Sequence, residues 1–154
     1  MLKAKDIMQT KVITIEPQET IIQAAKLMLG NQINGLPVVN KENKVIGIIT
    51  QSDLILTQKK VDLPSFFTLL DGFLPLSSLN KLEEEIKKMS AVRVKEAMTP
   101  NPLCLSPEHT LEEIAQIMAE KKYHTLPVVD EEQKLIGIIG KADILKALVN
   151  ESSS

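Results

Sequence analysis

Apolar residues along this chain keep two rhythms, and each rhythm occurs twice. Ile21, Ala24, Ala25 and Met28 lie at the three-and-four spacing of one helical face, as do Leu111, Ile114, Ala115 and Met118. Each set follows a threonine with an amide or carboxyl three residues on, Thr20-x-x-Gln23 and Thr110-x-x-Glu113, the capping box that opens a helix. Gly30-Asn31 supplies a stop for the first of these helices. Between the helical faces run short β-branched stretches. Val12 to Ile15 predicts a short strand, Leu36 to Val39 a second, and Val45 to Ile49 a third. The proline in Leu36-Pro37-Val38-Val39 requires the start of a strand or a sheet edge. Asn40 to Lys44 is polar and reads as a hairpin connection.

The run Gly47-Ile48-Ile49-Thr50-Gln51-Ser52-Asp53 joins the last strand to a helix from about Ser52 to Lys60. Thr50 can cap that helix, with Asp53 in the first turn where the helix dipole favours a carboxylate. The same residues also suit a ligand. A helix N-terminus offers backbone N–H groups to an anion, and a carboxylate can accept from both hydroxyls of a ribose. A lone T-x-x-D is more often a cap than a binding site.

The run returns as Gly137 to Asp143, displaced by 90 residues, and the displacement holds without insertion or deletion. Met8 meets Met98, Pro17 meets Pro107, and Leu36-Pro37-Val38-Val39 meets Leu126-Pro127-Val128-Val129. Between 5–53 and 95–143, 17 of 49 positions are identical, which makes the chain an internal duplication. Each copy reads β-α-β-β-α, too small to stand comfortably alone, so the two are expected to pair with pseudo-two-fold symmetry. The division is 1–60 for the first repeat, 61–92 between repeats, 93–149 for the second, and a frayed polar tail at 150–154. The second copy has Gly140 where the first has Thr50, so its pocket would lack that hydroxyl.

The segment 61–92 is not duplicated and holds all three phenylalanines, Phe66, Phe67 and Phe73. Pro64 and Pro75 bracket one apolar segment, and Leu79, Leu82, Ile86 and Met89 form the stripe of a further helix. It either covers the chain's own surface or meets a second chain.

Composition narrows the function. A net charge of −2 with mixed signs gives no electrostatic case for nucleic acid or an anionic membrane. No apolar run approaches a spanning helix and no signal peptide opens the chain, so a cytoplasmic protein is expected. The lone Cys104 falls in a predicted strand and reads as a small buried hydrophobe, and the two histidines make no zinc spacing. Nothing supports catalysis: no nucleophile stands beside a base, and there is no phosphate-cradling glycine loop.

The opening Asp6-Ile7-Met8, the "LPVV" strands and the glycine strand ending in T-x-x-D, repeated in register, resemble the CBS domain, and the pair resembles a Bateman module. Modules of this kind bind adenosine-containing ligands such as AMP, ADP, ATP or S-adenosylmethionine in two clefts between the repeats. The resemblance implies that Asp53 and Asp143 grip ribose hydroxyls and that Thr50 donates to phosphate. It implies that Lys11, Val12 and Ile13, with Asn101, Pro102 and Leu103, offer backbone groups and apolar walls to adenine. Asn34 and Gly35, and His124 and Thr125, would line the cleft near the phosphates. His124 can donate to phosphate or lie exposed before its strand. Lys141 compensates for Gly140 only if its side chain turns into the cleft.

Three functions fit. The first is a stand-alone adenine-nucleotide sensor, with the nucleotide a regulatory ligand rather than a cofactor, signalling to a regulated protein by shape or partner affinity. The second is a structural or interaction protein with empty clefts. The third is a regulatory subunit acting in trans on an enzyme such as an inosine-monophosphate-dehydrogenase-like protein. A homodimer is expected, because Leu54, Ile55, Leu56, Ile144, Leu145 and Leu148 give more apolar surface than one small sheet can cover.

Overall fold

The computed structural model describes residues 1–61 and 91–153. The phenylalanines and the apolar stripe of the inter-repeat segment lie outside the described residues. In chain order the elements are α1 (Ala4–Ile7), α2 (Ile21–Asn31), β1 (Gly35–Val39), β2 (Val45–Thr50), α3 (Gln51–Val61), α4 (Val94–Ala97), β3 (Thr99–Pro100), α5 (Leu111–Lys121), β4 (Thr125–Val129), β5 (Leu135–Gly140) and α6 (Lys141–Ser153). The fold is mixed α/β, with β1, β2 and β3 in one sheet and β4 and β5 in another.

Both capping boxes form as the sequence predicts. Thr20 Oγ1 accepts from Gln23 N while Gln23 Oε1 accepts from Thr20 N, at 3.3 and 2.9 Å. Thr110 and Glu113 make the same exchange at 3.2 Å each way. These bonds from Thr110 hold the Glu113 carboxyl below its ordinary pKa, because they favour the charged form. α2 ends at Asn31, within the predicted stop, and Gln32 caps it left-handed at φ 54°; Lys122 closes α5 the same way at φ 57°.

Three expectations need correction. The strands predicted around Val12–Ile15 and at its 90-residue counterpart do not form. Lys11 to Thr14 and Asn101 to Cys104 are irregular, and only Ile15 and Leu105 make single parallel bridges, to Val38 and Val128. In the second copy Pro102 cannot donate to a ladder, and in both copies a proline, Pro17 or Pro107, stops pairing just beyond the single bridge. Cys104 is accordingly outside any strand; it is half-buried, and burial pushes its thiol pKa up, which suits a small hydrophobe. Third, Asn150 to Ser153 are not a frayed tail but the last turn of α6, with Ser152 Oγ donating to Leu148 O at 3.0 Å.

The compact units do not coincide with the sequence repeats. One unit comprises Met1–Val12, Lys41–Val45 and Pro102–Ser154; the other comprises Ile13–Asn40 and Ile46–Asn101. The first is built on Leu105, Leu111, Ile114, Met118, Leu126, Val128, Ile139, Ile144 and Ala147, joined by Ala4. The second is built on Ile15, Ile21, Ala24, Met28, Leu36, Val38, Ile49 and Leu54, joined by Val94. Ala4 and Val94 are 90-residue counterparts. Each repeat's opening segment therefore completes the core that contains the other repeat's helices. In the first unit, Ala4 N donates to His109 O, Gln9 and Ile138 exchange backbone bonds, and Lys3 and Lys5 both reach Glu108, at 2.6 and 3.0 Å. Those lysines hold the Glu108 carboxyl below its ordinary pKa.

Two glycines make the docking of these segments feasible. A Cβ on Gly47 would collide with Met98 Sδ and stand 3.1 Å from Thr99 O. A Cβ on Gly137 would collide with Met8 Sδ and stand 2.8 Å from Met8 Cγ. The glycine in each "GII" strand leaves the space into which the methionine of an opening segment packs.

Candidate functional site

The two aspartates mark equivalent places in the two units. β2 runs straight into α3, so Thr50 stands at the junction and Asp53 in the first helical turn. Thr50 N and Thr50 Oγ1 both donate to Asp53 Oδ2, at 2.9 and 3.1 Å, while Asp53 N donates back to Thr50 Oγ1 at 3.3 Å. The capping reading is thus realised in full. It leaves Asp53 Oδ1 outside the cap, and that oxygen accepts from Thr99 Oγ1 at 3.1 Å. Asp53 is half-buried.

At the β5–α6 junction, Gly140 N donates to Asp143 Oδ2 at 2.8 Å, with no hydroxyl to reinforce it. Gln9 Nε2 lies across both carboxylate oxygens, 3.0 Å from Oδ1 and 3.3 Å from Oδ2. Gln9 and Thr99 are 90-residue counterparts. Sequence reasoning missed both. The signal was the duplication itself, since the two polar residues follow Met8 and Met98, but their partners become visible only once the opening segments are seen to exchange.

The other predicted residues divide. Gly35 abuts the first site: a Cβ there would stand 3.3 Å from Thr50 Cγ2 and 3.4 Å from Ile49 O, so the backbone approaches as only glycine allows without adjustment. Asn34 is exposed, and its carbonyl accepts from Gln51 N at 3.1 Å, closing the helix start. The second unit of sequence repeats this bond, with Lys141 N donating to His124 O at 3.2 Å, and Thr125 pairs with Gly140 across β4 and β5.

His124 and Lys141 line a cavity of about 450 Å³ beside α5 and α6, with Lys122 also on its wall and Met118, Ile144 and Leu145 as apolar lining. Lys141 therefore lines the helical side of its unit. Lys11, Asn101 and Leu103 are exposed and Val12, Ile13 and Pro102 half-buried, all in irregular backbone. Among the described residues, no group of three or more His, Cys, Asp or Glu side chains could hold a metal ion, and no helix is long and apolar enough to cross a membrane.

The chain is a duplicated α/β unit with an aspartate at each strand-to-helix junction, and comparison with known proteins agrees that it is a domain pair. The CBS domain family matches twice, over residues 4–59 and 94–150. The chain belongs to the CBS-domain family. It is 34% identical over 154 aligned positions to the protein MJ1426 of Methanocaldococcus jannaschii, covering 94% of this chain and 90% of that protein. It is 33% identical to a segment of inosine-5'-monophosphate dehydrogenase from the same organism, covering 94% of this chain but spanning only 23% of the enzyme. Among solved structures it is similar to CBSX2 in complex with AMP, with a TM-score of 0.75 and 25% identity over 99% of each chain.

Proposed function

We propose that this chain is a regulatory module that binds adenosine-containing ligands at the Asp53 and Asp143 ends of its two units and acts as a homodimer on a protein partner. The observation that carries the reading is the similarity, over 99% of both chains, to a CBS pair solved with AMP. The site geometry supports it. A carboxylate at a helix start can take ribose hydroxyls, and the N–H groups of the first helical turn favour a phosphate nearby. Asp53 retains an oxygen outside its own cap, which among the described residues accepts from the hydroxyl of Thr99. Thr99 can rotate that hydroxyl to accept as readily as to donate.

The irregular backbone at residues 11–14 and 101–104 suits base recognition better than the predicted strands would. Val12, Ile13 and Leu103 stand outside any ladder, so sheet pairing does not consume their peptide groups, and their side chains add apolar surface. Backbone donors and acceptors in fixed order distinguish adenine from guanine, which reverses the order at its six-position edge. Calorimetry should therefore show binding of AMP, ATP or S-adenosylmethionine and much weaker binding of GMP. Mass spectrometry of material released from freshly purified, denatured protein should show an adenosine compound. Equal affinity for GMP and AMP would remove the backbone readout, and no binding of any adenosine ligand would remove the function.

A second reading has the dehydrogenase similarity behind it: the module regulates an enzyme of nucleotide metabolism in trans. Affinity capture with the purified dehydrogenase, with and without nucleotide, separates this partner from others.

A further inference from the structure

The two units present the same aspartate differently. At Asp53, one hydroxyl on Thr99 touches one oxygen, and the remaining bonds to the carboxylate come from the cap itself. At Asp143, a single carboxamide nitrogen on Gln9 spans Oδ1 and Oδ2 together. A ribose diol would offer the same carboxylate one hydroxyl for each oxygen. The Gln9 amide has the right chemistry to stand in for it, since it presents neutral donors to an acceptor-only group.

We infer that Gln9 is a built-in competitor for the second ligand position, a specificity-determining residue that ligand must displace before its ribose reaches Asp143. The inference rests on the nucleotide-binding reading above. Gln9 is positioned to act this way by backbone, not by its side chain alone. Its N–H donates to Ile138 O and its carbonyl accepts from Ile138 N, both at 2.9 Å, on the strand that leads to Gly140 and Asp143. Met8, packed over Gly137, fixes the residue before it. The side chain itself is exposed, so it can swing away without unpacking the core. Thr99, anchored in the same manner beside β2, is too short to bridge both oxygens. The consequence is graded occupancy: the Asp53 position fills first, and the Asp143 position fills only at higher ligand concentration.

Exchanging the two residues tests this. In an Asp53→Ala background, which weakens the first position, Gln9→Thr should raise AMP affinity at the second about tenfold by calorimetry, the scale of one hydrogen bond to a charged group. In the otherwise unaltered chain, Thr99→Gln should lower affinity at the first position by a similar factor. The Gln9 side-chain NH2 resonance should shift as the second AMP binds and stay still during the first. Unchanged second-position affinity in Gln9→Thr, or an NH2 resonance indifferent to the second AMP, would overturn the competitor role while leaving AMP binding at Asp53 intact. If the unaltered chain binds no adenosine ligand, the underlying reading fails and this inference falls with it.

Discussion

Asp53 has two duties, and they can be separated at the level of single residues. As the acceptor for Thr50 N and Thr50 Oγ1 it caps α3, and losing a cap costs roughly 1 kcal/mol of stability. As a ribose acceptor it would contribute about 1.5–3 kcal/mol for each charged hydrogen bond. Asp53→Ala should therefore lower melting temperature slightly and AMP affinity by at least about tenfold. A folded variant with unchanged affinity would leave the cap as its sole role. Gly140→Thr tests the reverse. A Cβ at Gly140 would stand 3.7 Å from Asp143 Oδ2 and 3.8 Å from His124 O, ordinary contact distances, and the residue is not left-handed. Threonine there should restore the reciprocal cap seen at Thr50, raising melting temperature by a few degrees and tightening the second position; an unchanged or lowered melting temperature would refute it. The aspartates and the missing hydroxyl were legible in sequence because spacing alone places them. Gln9 and Thr99 were not, since a polar residue in so short a segment carries no periodic signal and its partner lies more than forty residues away.

Elements that announce themselves by local pattern were read well, and those set by long-range pairing were not. The capping boxes at Thr20 and Thr110, the "LPVV" strands and the glycine strands form where their residues predict. Val12 to Ile15 has the composition of a strand but makes only one bridge, because ladder formation depends on a neighbour that sequence does not specify. The polar end of α6 misled for the opposite reason: Asn150 to Ser153 lack apolar periodicity, yet the helix already formed upstream propagates through them. The least legible feature was the exchange of opening segments, which depends on Gly47 and Gly137 accepting Met98 and Met8. Gly137→Ala places a methyl group against Met8 and should destabilise the chain by about 1–3 kcal/mol, the range for overpacking. Hydrogen exchange should then show the Gln9 amide losing protection. Companion truncation of Met8 to Ala should relieve much of that cost, and failure of the rescue would place the effect of Gly137→Ala elsewhere.

At the scale of the whole molecule, the question is what covers the apolar residues that the two cores leave outside. Of the six predicted to exceed the needs of one sheet, Leu54 and Ile144 are buried in the cores, at 0% and 6% exposure. Leu56 on α3 remains 57% exposed, and on α6 Leu145 is 63% and Leu148 42% exposed. Leu145 and Leu148 lie three residues apart on one face of α6, and Leu145 also walls the cavity beside His124 and Lys141. Burying a leucine side chain contributes about 1.5–3 kcal/mol, so Leu56, Leu145 and Leu148 together represent a substantial driving force for association. The charge of the chain offers little resistance, at −2 spread over both signs. Two-fold pairing of identical patches satisfies this most simply, because each copy covers its partner's surface with its own. Sedimentation at micromolar concentration should show a dimer for the unaltered chain. Leu145→Glu with Leu148→Glu should shift it to monomer without loss of helix content. A monomer at every concentration, or a dimer indifferent to both glutamates, would remove α6 from the association. Adding AMP to the same cells then asks whether ligand occupancy alters the dimer. A change in its dissociation constant would link the nucleotide positions to assembly.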